Sequence, residues 1–148
     1  MSSIRGRQVQ AASYSEVYRV PFGDTDAAGV VFYPNYYRWF DRMTHALFRS
    51  VGQPLGPFMD AGEGPFLVET NCRFLLPVGY DDEIRLESRV REIRTSAFEV
   101  EHTVKREGKV AATGREIRVW SSLHERRSVP LPAALKAALL SGHSVESA

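Results

Sequence analysis

One stretch of this chain, Pro34 to Val51, carries a long helical period, and it limits what the remaining residues can build. Tyr36, Phe40, Met43, Leu47 and Val51 recur at spacings of three and four, with Trp39 on the same side, which makes an apolar stripe along a helix. Pro34 suits the first helical position, where its missing N–H and fixed φ do no harm, and Gly52 with Pro54 ends the run. The other long segments have the composition or the alternation of strands. One long helix and four or five long strands cannot close a barrel without something filling the middle. The sheet is therefore expected to curl around the helix, an α+β arrangement in one domain spanning residues 1–148.

The clearest strand is Asp82 to Arg94, where Ile84, Leu86, Ser88 and Val90 alternate with charged neighbours, as on a half-buried sheet with one wet face. Ser96 to Arg106 repeats the pattern through Phe98, Val100 and Val104, and Glu107-Gly108-Lys109 turns the chain into Val110 to Ser121. Ser13 to Pro21 and Phe66 to Leu76 supply two further strands. Between Gly52 and Gly64, four glycines and two prolines predict a surface connection without regular structure over most of its length. A short amphipathic helix is expected from about Pro132 to Gly142, and residues 1–12 and 142–148 are expected to be flexible ends.

The balance of 43% apolar and 25% charged residues is that of a globular domain, and a net charge of +1 gives no bulk attraction to nucleic acid or membranes. A single cysteine, Cys72, excludes an internal disulfide and sits in a strand as a small apolar filler. The first residues lack the apolar core of a signal peptide, and no apolar run is long enough to span a bilayer, so a cytoplasmic location is expected.

Chemistry concentrates in Pro21 to Met43. Phe22 to Ala28 has the composition of a turn, because two aspartates one residue apart and small neighbours favour local side-chain hydrogen bonds. Val30 to Tyr33 is an apolar lead-in to the helix, whose unpaired N-terminal N–H groups favour developing negative charge. A carboxylate beside such a helix end is half of an acyl-transfer site. A calcium loop is excluded, since Ala28 and Asn35 stand where two of its ligands belong.

The run Asp24-x-Asp26-x-x-Gly29-Val-Val-Phe-Tyr33-Pro34-Asn35-Tyr36, followed by Arg38-Trp39 and Asp41, closely resembles the signature of the hotdog-fold 4-hydroxybenzoyl-CoA thioesterases. A looser likeness covers most of the chain, including Tyr80-Asp81-Asp82 and Glu116-Ile117-Arg118-Val119. The resemblance implies a hotdog fold and hydrolysis of an aromatic acyl-CoA, with 4-hydroxybenzoyl-CoA foremost. It makes Asp26 the catalytic carboxylate, either as nucleophile or as the base that activates water, a choice the sequence leaves open. By the same resemblance the backbone N–H of Tyr33 is the oxyanion donor and Asp41 helps bind the ring hydroxyl. Where that family has a second polar contact to the ring, this chain has Pro65, which carries no hydrogen-bonding side chain. An aromatic ring that is unsubstituted, or substituted elsewhere, therefore stays open.

Alignment with the same family matches Arg94 and Arg127 to nucleotide-phosphate contacts, with Ser96 nearby. A related group of acyl-CoA thioesterases, associated with the Tol-Pal system, has histidine at the position of Tyr33, which favours the aromatic branch. His45 stands one helical turn beyond Asp41 as a packing or surface residue. No Gly-x-Ser-x-Gly elbow, His-Glu-x-x-His, Cys-x-x-Cys or phosphate loop occurs, so neither a metal nor a cofactor is expected beyond the CoA of the substrate. Since hotdog thioesterases build sites between subunits, the resemblance implies a homodimer or homotetramer. Two alternatives remain: a thioesterase for another acyl-CoA or an acyl carrier protein thioester, and a non-catalytic domain that only binds acyl-CoA.

Overall fold

A computed structural model describes residues 11–147. Helix α1, Pro34–Ser50, is wrapped by one curved sheet made of β1 (Ser13–Arg19), β2 (Glu63–Phe74), β3 (Glu83–Ile93), β4 (Ala97–Arg106) and β5 (Lys109–Ser122), with two short additions, β6 (Arg127–Ser128) and β7 (Ser144–Ser147). The strand order is β2-β5-β4-β3-β1-β7, with β6 beside β5. All pairings are antiparallel except β1 with β7. This is the helix-in-sheet arrangement expected of a hotdog fold. No helix among the described residues is long and apolar enough to cross a membrane.

The period of α1 decides its packing. Tyr36, Trp39, Phe40 and Met43 meet Val20, Val31, Ile84, Leu86 and Val104 in one cluster, while Leu47 and Phe48 meet Val90, Phe98, Val100 and Trp120 in a second. Helix α3, Ala133–Leu139, closes the second cluster with Leu135 and Leu139. In β3 and β4 every second residue is buried, so the wet face carries the charges and the dry face rests on α1. Glu107 and Gly108, both at positive φ, make the tight turn between β4 and β5.

Three segments differ from expectation. The connection after α1 contains a six-residue helix α2, Leu55–Asp60, which sets Phe58 edge-on against Trp120 at 5.0 Å. Pro54 caps it, and Pro57 falls in its first turn, where an N–H has no partner to lose. The C-terminal stretch expected to be flexible instead forms β7, held to β1 by parallel pairing and by the Arg85–Glu146 ion pair at 2.7 Å. At the other end, Ala12 is fully buried, with its N–H on the Leu139 carbonyl. Residues 1–10 of the expected flexible end lie outside the described residues.

The ring of Phe40 in α1 packs directly over Gly114 in β5. A Cβ placed there would stand 2.2 Å from Phe40 Cε2 and 2.9 Å from the Asn71 carbonyl oxygen. The second neighbour is backbone, so a rotamer change alone cannot make room. Gly114→Ala is expected to lower the unfolding free energy by about 1–3 kcal/mol, read from urea denaturation.

Candidate active site

The loop ahead of α1 is built around Asp24. Its Oδ2 accepts hydrogen bonds from the Tyr18 hydroxyl at 2.8 Å and from Trp39 Nε1–H at 3.1 Å. Its carbonyl accepts the Phe32 N–H and the Asn35 side-chain amide, each at 2.9 Å. One residue thus ties β1, the loop and the first two turns of α1 together. The sequence reading leaves Asp24 as a turn or capping residue; the structure makes it the peg that fixes the helix entrance.

Asp26 follows on a small hairpin. Its N–H donates to Val30 O, the Gly29 N–H returns to Asp26 O, and Gly29 takes φ of 83°, so Ala27-Ala28-Gly29 forms a three-residue loop that needs glycine last. The hairpin is seated on the next turn of the chain by the Tyr80 N–H to Gly29 O bond and a bridge from Val30 to Gly79. Asp26 Oδ1 accepts the Ala28 N–H at 2.9 Å. Its Oδ2 has no partner among the described residues, and the residue is exposed. The Asp26 carboxylate is held by one oxygen and presents the other.

Tyr33 sits immediately before α1 with φ −55° and ψ −32°, and no side chain caps the helix. Phe32 N–H is taken by Asp24 O, Asn35 N–H by Phe32 O and Tyr36 N–H by Tyr33 O, whereas the Tyr33 N–H has no acceptor among the described residues. The Tyr33 ring is 61% exposed and packs edge-on to Phe32. It borders an apolar groove of about 280 Å³ with Val30, Tyr36 and Leu75. Asp26 and Tyr33 therefore belong to one hairpin-and-helix-entry unit, with a free carboxylate oxygen and a free backbone N–H.

Asp41, two turns further along α1, lines a second groove of about 620 Å³ together with Tyr37, Arg38 and Leu67. Its Oδ1 accepts Arg118 Nη2–H at 2.8 Å and lies 3.5 Å from His45 Nε2. The hydrogen bond from His45 and then the guanidinium of Arg118 hold its carboxyl well below the usual carboxylate range, despite partial burial. Pro65 is buried in β2, and its carbonyl accepts Arg118 Nη1–H at 3.3 Å. Two residues singled out from sequence thus meet on one guanidinium that the sequence reading gives no role.

Arg118 belongs to a buried polar cluster. Glu116 receives hydrogen bonds from Thr44 Oγ1 at 2.5 Å, His102 Nε2 at 3.2 Å, and Arg118 Nε and Nη2 at 3.3 and 2.8 Å. Ser88 Oγ bonds the other ring nitrogen of His102 at 2.6 Å, and the ring stacks on Phe40. Burial lowers the His102 pKa, so the neutral ring donates from Nε2 to Glu116 and accepts at Nδ1 from Ser88. Burial alone would raise the Glu116 pKa, but its hydrogen bonds from His102 and Arg118 outweigh it and bring it down to about 2. Gly114, Glu116, Arg118 and Trp120 share one face of β5, and that face is buried; the sequence hints at this only through the flanking Gly114 and Trp120.

Arg94, Ser96 and Arg127 gather elsewhere. Ser96 O accepts the Trp120 N–H, and Arg127 lies in β6 against Ser122, so all three sit where β3 ends and β5 finishes. Arg94 and Arg127 are exposed and, among the described residues, pair only with Glu92 at 3.1 Å and Glu125 at 2.6 Å. Asp26 lies at the opposite end of the sheet, beside the turn that opens β3, so the length of that strand, roughly 30 Å, separates the two groups within one chain. Cys72 is packed against the core, and burial pushes its thiol up to about 11, in keeping with a filler.

The family model described as Thioesterase-like superfamily matches residues 20–139. The 4-hydroxybenzoyl-CoA thioesterase of Pseudomonas sp. (strain CBS-3) is 35% identical, over 83% of this chain and 94% of that protein. The 1,4-dihydroxy-2-naphthoyl-CoA hydrolase of Thermosynechococcus vestitus is 32% identical, over 82% and 85% respectively. Among solved structures, a gentisyl-coenzyme A thioesterase superposes with a TM-score of 0.78 at 37% identity, covering 84% of this chain and 98% of its own.

The Glu116 pKa lies below its ordinary value of 4.5 in the folded chain, so its stabilisation is complete above about 4.5 and disappears as pH falls towards 2. Asp41 is shifted in the same direction. Unfolding free energy from urea titrations is expected to drop by on the order of 3 kcal/mol across that window. In Glu116→Gln, much of this pH dependence should vanish.

Proposed function

The chain belongs to the Thioesterase-like superfamily, and on that premise we propose that it hydrolyses an aromatic acyl-CoA, foremost 4-hydroxybenzoyl-CoA, to the free acid and CoA. That it is a thioester hydrolase of the hotdog family follows from its relatives. The aromatic acyl group is supported by their substrates, since 4-hydroxybenzoyl-CoA and 1,4-dihydroxy-2-naphthoyl-CoA both carry a hydroxylated ring. The observation that carries the reading is that one short segment leading into α1 holds both an Asp26 oxygen and a Tyr33 N–H without partners among the described residues.

In the proposed reaction, the thioester carbonyl oxygen accepts the Tyr33 N–H, and the helix end stabilises the charge that develops on it. Asp26 either takes a proton from the water that attacks the carbonyl carbon, or attacks that carbon itself to form a mixed anhydride that water then hydrolyses, releasing the acid and restoring the carboxylate; in both routes the carbon–sulfur bond breaks and the CoA sulfur leaves as thiolate, protonated by solvent or by the proton Asp26 has taken up. No metal or cofactor takes part. The ring is assigned to the groove lined by Asp41 and Leu67, with Pro65 behind it.

Arg94, Ser96 and Arg127 are assigned to the CoA phosphates, and their separation from Asp26 along the sheet favours a site shared between two copies of the chain. The Glu92 and Glu125 pairs of the two arginines are exposed and weak, so a phosphate can displace them. Strand β2 supports a homodimer, which can pair again into a tetramer. Among the described residues it pairs with β5 alone, and three successive apolar residues on it, Phe66, Leu67 and Val68, are exposed.

Asp26→Asn is expected to reduce kcat by about a hundredfold or more while leaving the Kd for 4-hydroxybenzoyl-CoA little changed. Tyr33→Phe, which keeps the N–H, should retain near-parental turnover. Thiol release from a panel of acyl-CoAs decides the substrate: aliphatic chains outpacing every benzoyl derivative would displace the aromatic assignment, and no release from any member would leave a domain that only binds. Light scattering on the purified chain is expected to report a dimer or tetramer.

A further inference from the structure

The buried side of β5 carries two charged side chains that the hydrolysis proposed above does not use. Glu116 and Arg118 are 2% and 4% exposed, yet the guanidinium of Arg118 points outward far enough to reach Asp41 on the rim of the larger groove. It serves acceptors on three elements: Glu116 in β5, the Pro65 carbonyl in β2 and Asp41 Oδ1 in α1. A guanidinium donates in a rigid planar fork, so three acceptors in different directions fix its position; the ammonium of lysine, a point charge on a flexible stem, does not reproduce that hold. Glu116 is itself immobilised by Thr44 and His102.

The consequence falls on Asp41. Its Oδ1 is occupied by Arg118 and faces His45, its Oδ2 has no partner among the described residues, and its side chain is 58% exposed to the groove. Resting on the reading of this groove as the acyl site, we infer that Arg118 is a positioning residue for substrate selection. It fixes Asp41 so that the free carboxylate oxygen accepts a hydrogen bond from a neutral hydroxyl on the acyl ring.

Charge and hydrogen bonding both act in this selection. A ring bearing a carboxylate at that position sets a like charge against the Asp41 oxygen and offers it no donor, so it is disfavoured. An unsubstituted ring covers the Asp41 oxygen and offers it no donor, which costs the carboxylate its water without replacement. A ring hydroxyl supplies the missing donor.

The test compares kcat/KM for 4-hydroxybenzoyl-CoA, benzoyl-CoA and 4-carboxybenzoyl-CoA in the parent and in Arg118→Lys. The parent should prefer the hydroxylated ring over both others. In Arg118→Lys the preference for hydroxylated over unsubstituted ring should shrink by about ten- to a hundredfold, with benzoyl-CoA turnover little changed. Equal losses on both substrates would mark Arg118 as merely structural and overturn the inference, as would a parent with no preference for the hydroxyl. Asp41→Asn, a change at the exposed end of the cluster, gives a second measurement should Arg118→Lys fail to fold. It should admit the carboxylated ring relative to the hydroxylated one, and an unchanged ratio counts against the inference. A parent that releases thiol from none of the three removes the hydrolase reading itself, a result distinct from hydrolysis without selection.

Discussion

Enclosing one helix within one sheet leaves only its ends and a single flank open to solvent, and most of this molecule follows from that constraint. Along the enclosed faces of α1, Tyr36, Phe40, Met43, Leu47 and Phe48 contribute the apolar contacts, and β5 gives up a side chain at Gly114 so that Phe40 can fit. Where β5 instead turns charged residues inward, the cost of burying them is met by pairing among Glu116, Arg118, His102, Thr44 and Ser88, with Asp41 and the Pro65 carbonyl taking further guanidinium N–H groups. At the open N-terminal end, the same enclosure has the opposite effect. Backbone N–H groups there have no preceding turn to bond, and the Tyr33 N–H is left available.

The two aspartates of the loop divide the labour. Asp24 spends both its carboxylate and its carbonyl on neighbours, which fixes the angle at which the hairpin meets the helix. Asp26, two residues later, makes a single local hydrogen bond and keeps an oxygen in reserve. A carboxylate intended for chemistry must be oriented without being tied down, and a neighbour on the same short loop that takes on the structural bonds through its Oδ2 and its carbonyl allows this.

How much of this could be read from the chain depends on the range of each interaction. The α1 stripe and the alternation of β3 and β4 are local periodicities, and the helix-in-sheet arrangement follows from them. Helix α2 escaped because Pro54, Gly56 and Pro57 are breaker residues anywhere except at a helix start, and six residues are too few to show a period. Strand β7 escaped because backbone pairing to β1 and the Arg85 ion pair hold it in place, with no apolar pattern of its own. Glu116 and Arg118 look like wet-face residues until their partners are known, and Asp41 is 77 positions away from Arg118. Asp26, Tyr33 and Asp41 are singled out as candidates by a long motif alone. The placing of Arg94, Ser96 and Arg127 at the far end of the sheet emerges only from the strand registers.

The strand β7 also makes the two margins of the sheet unequal. By lying alongside β1, these four residues blunt one margin with a short, charged ribbon, while β2 keeps a margin twelve residues long. A sheet sticky on both sides would recruit copies without limit and extend into a fibril. One that is sticky on a single side can join one twin across a two-fold axis, after which no template remains.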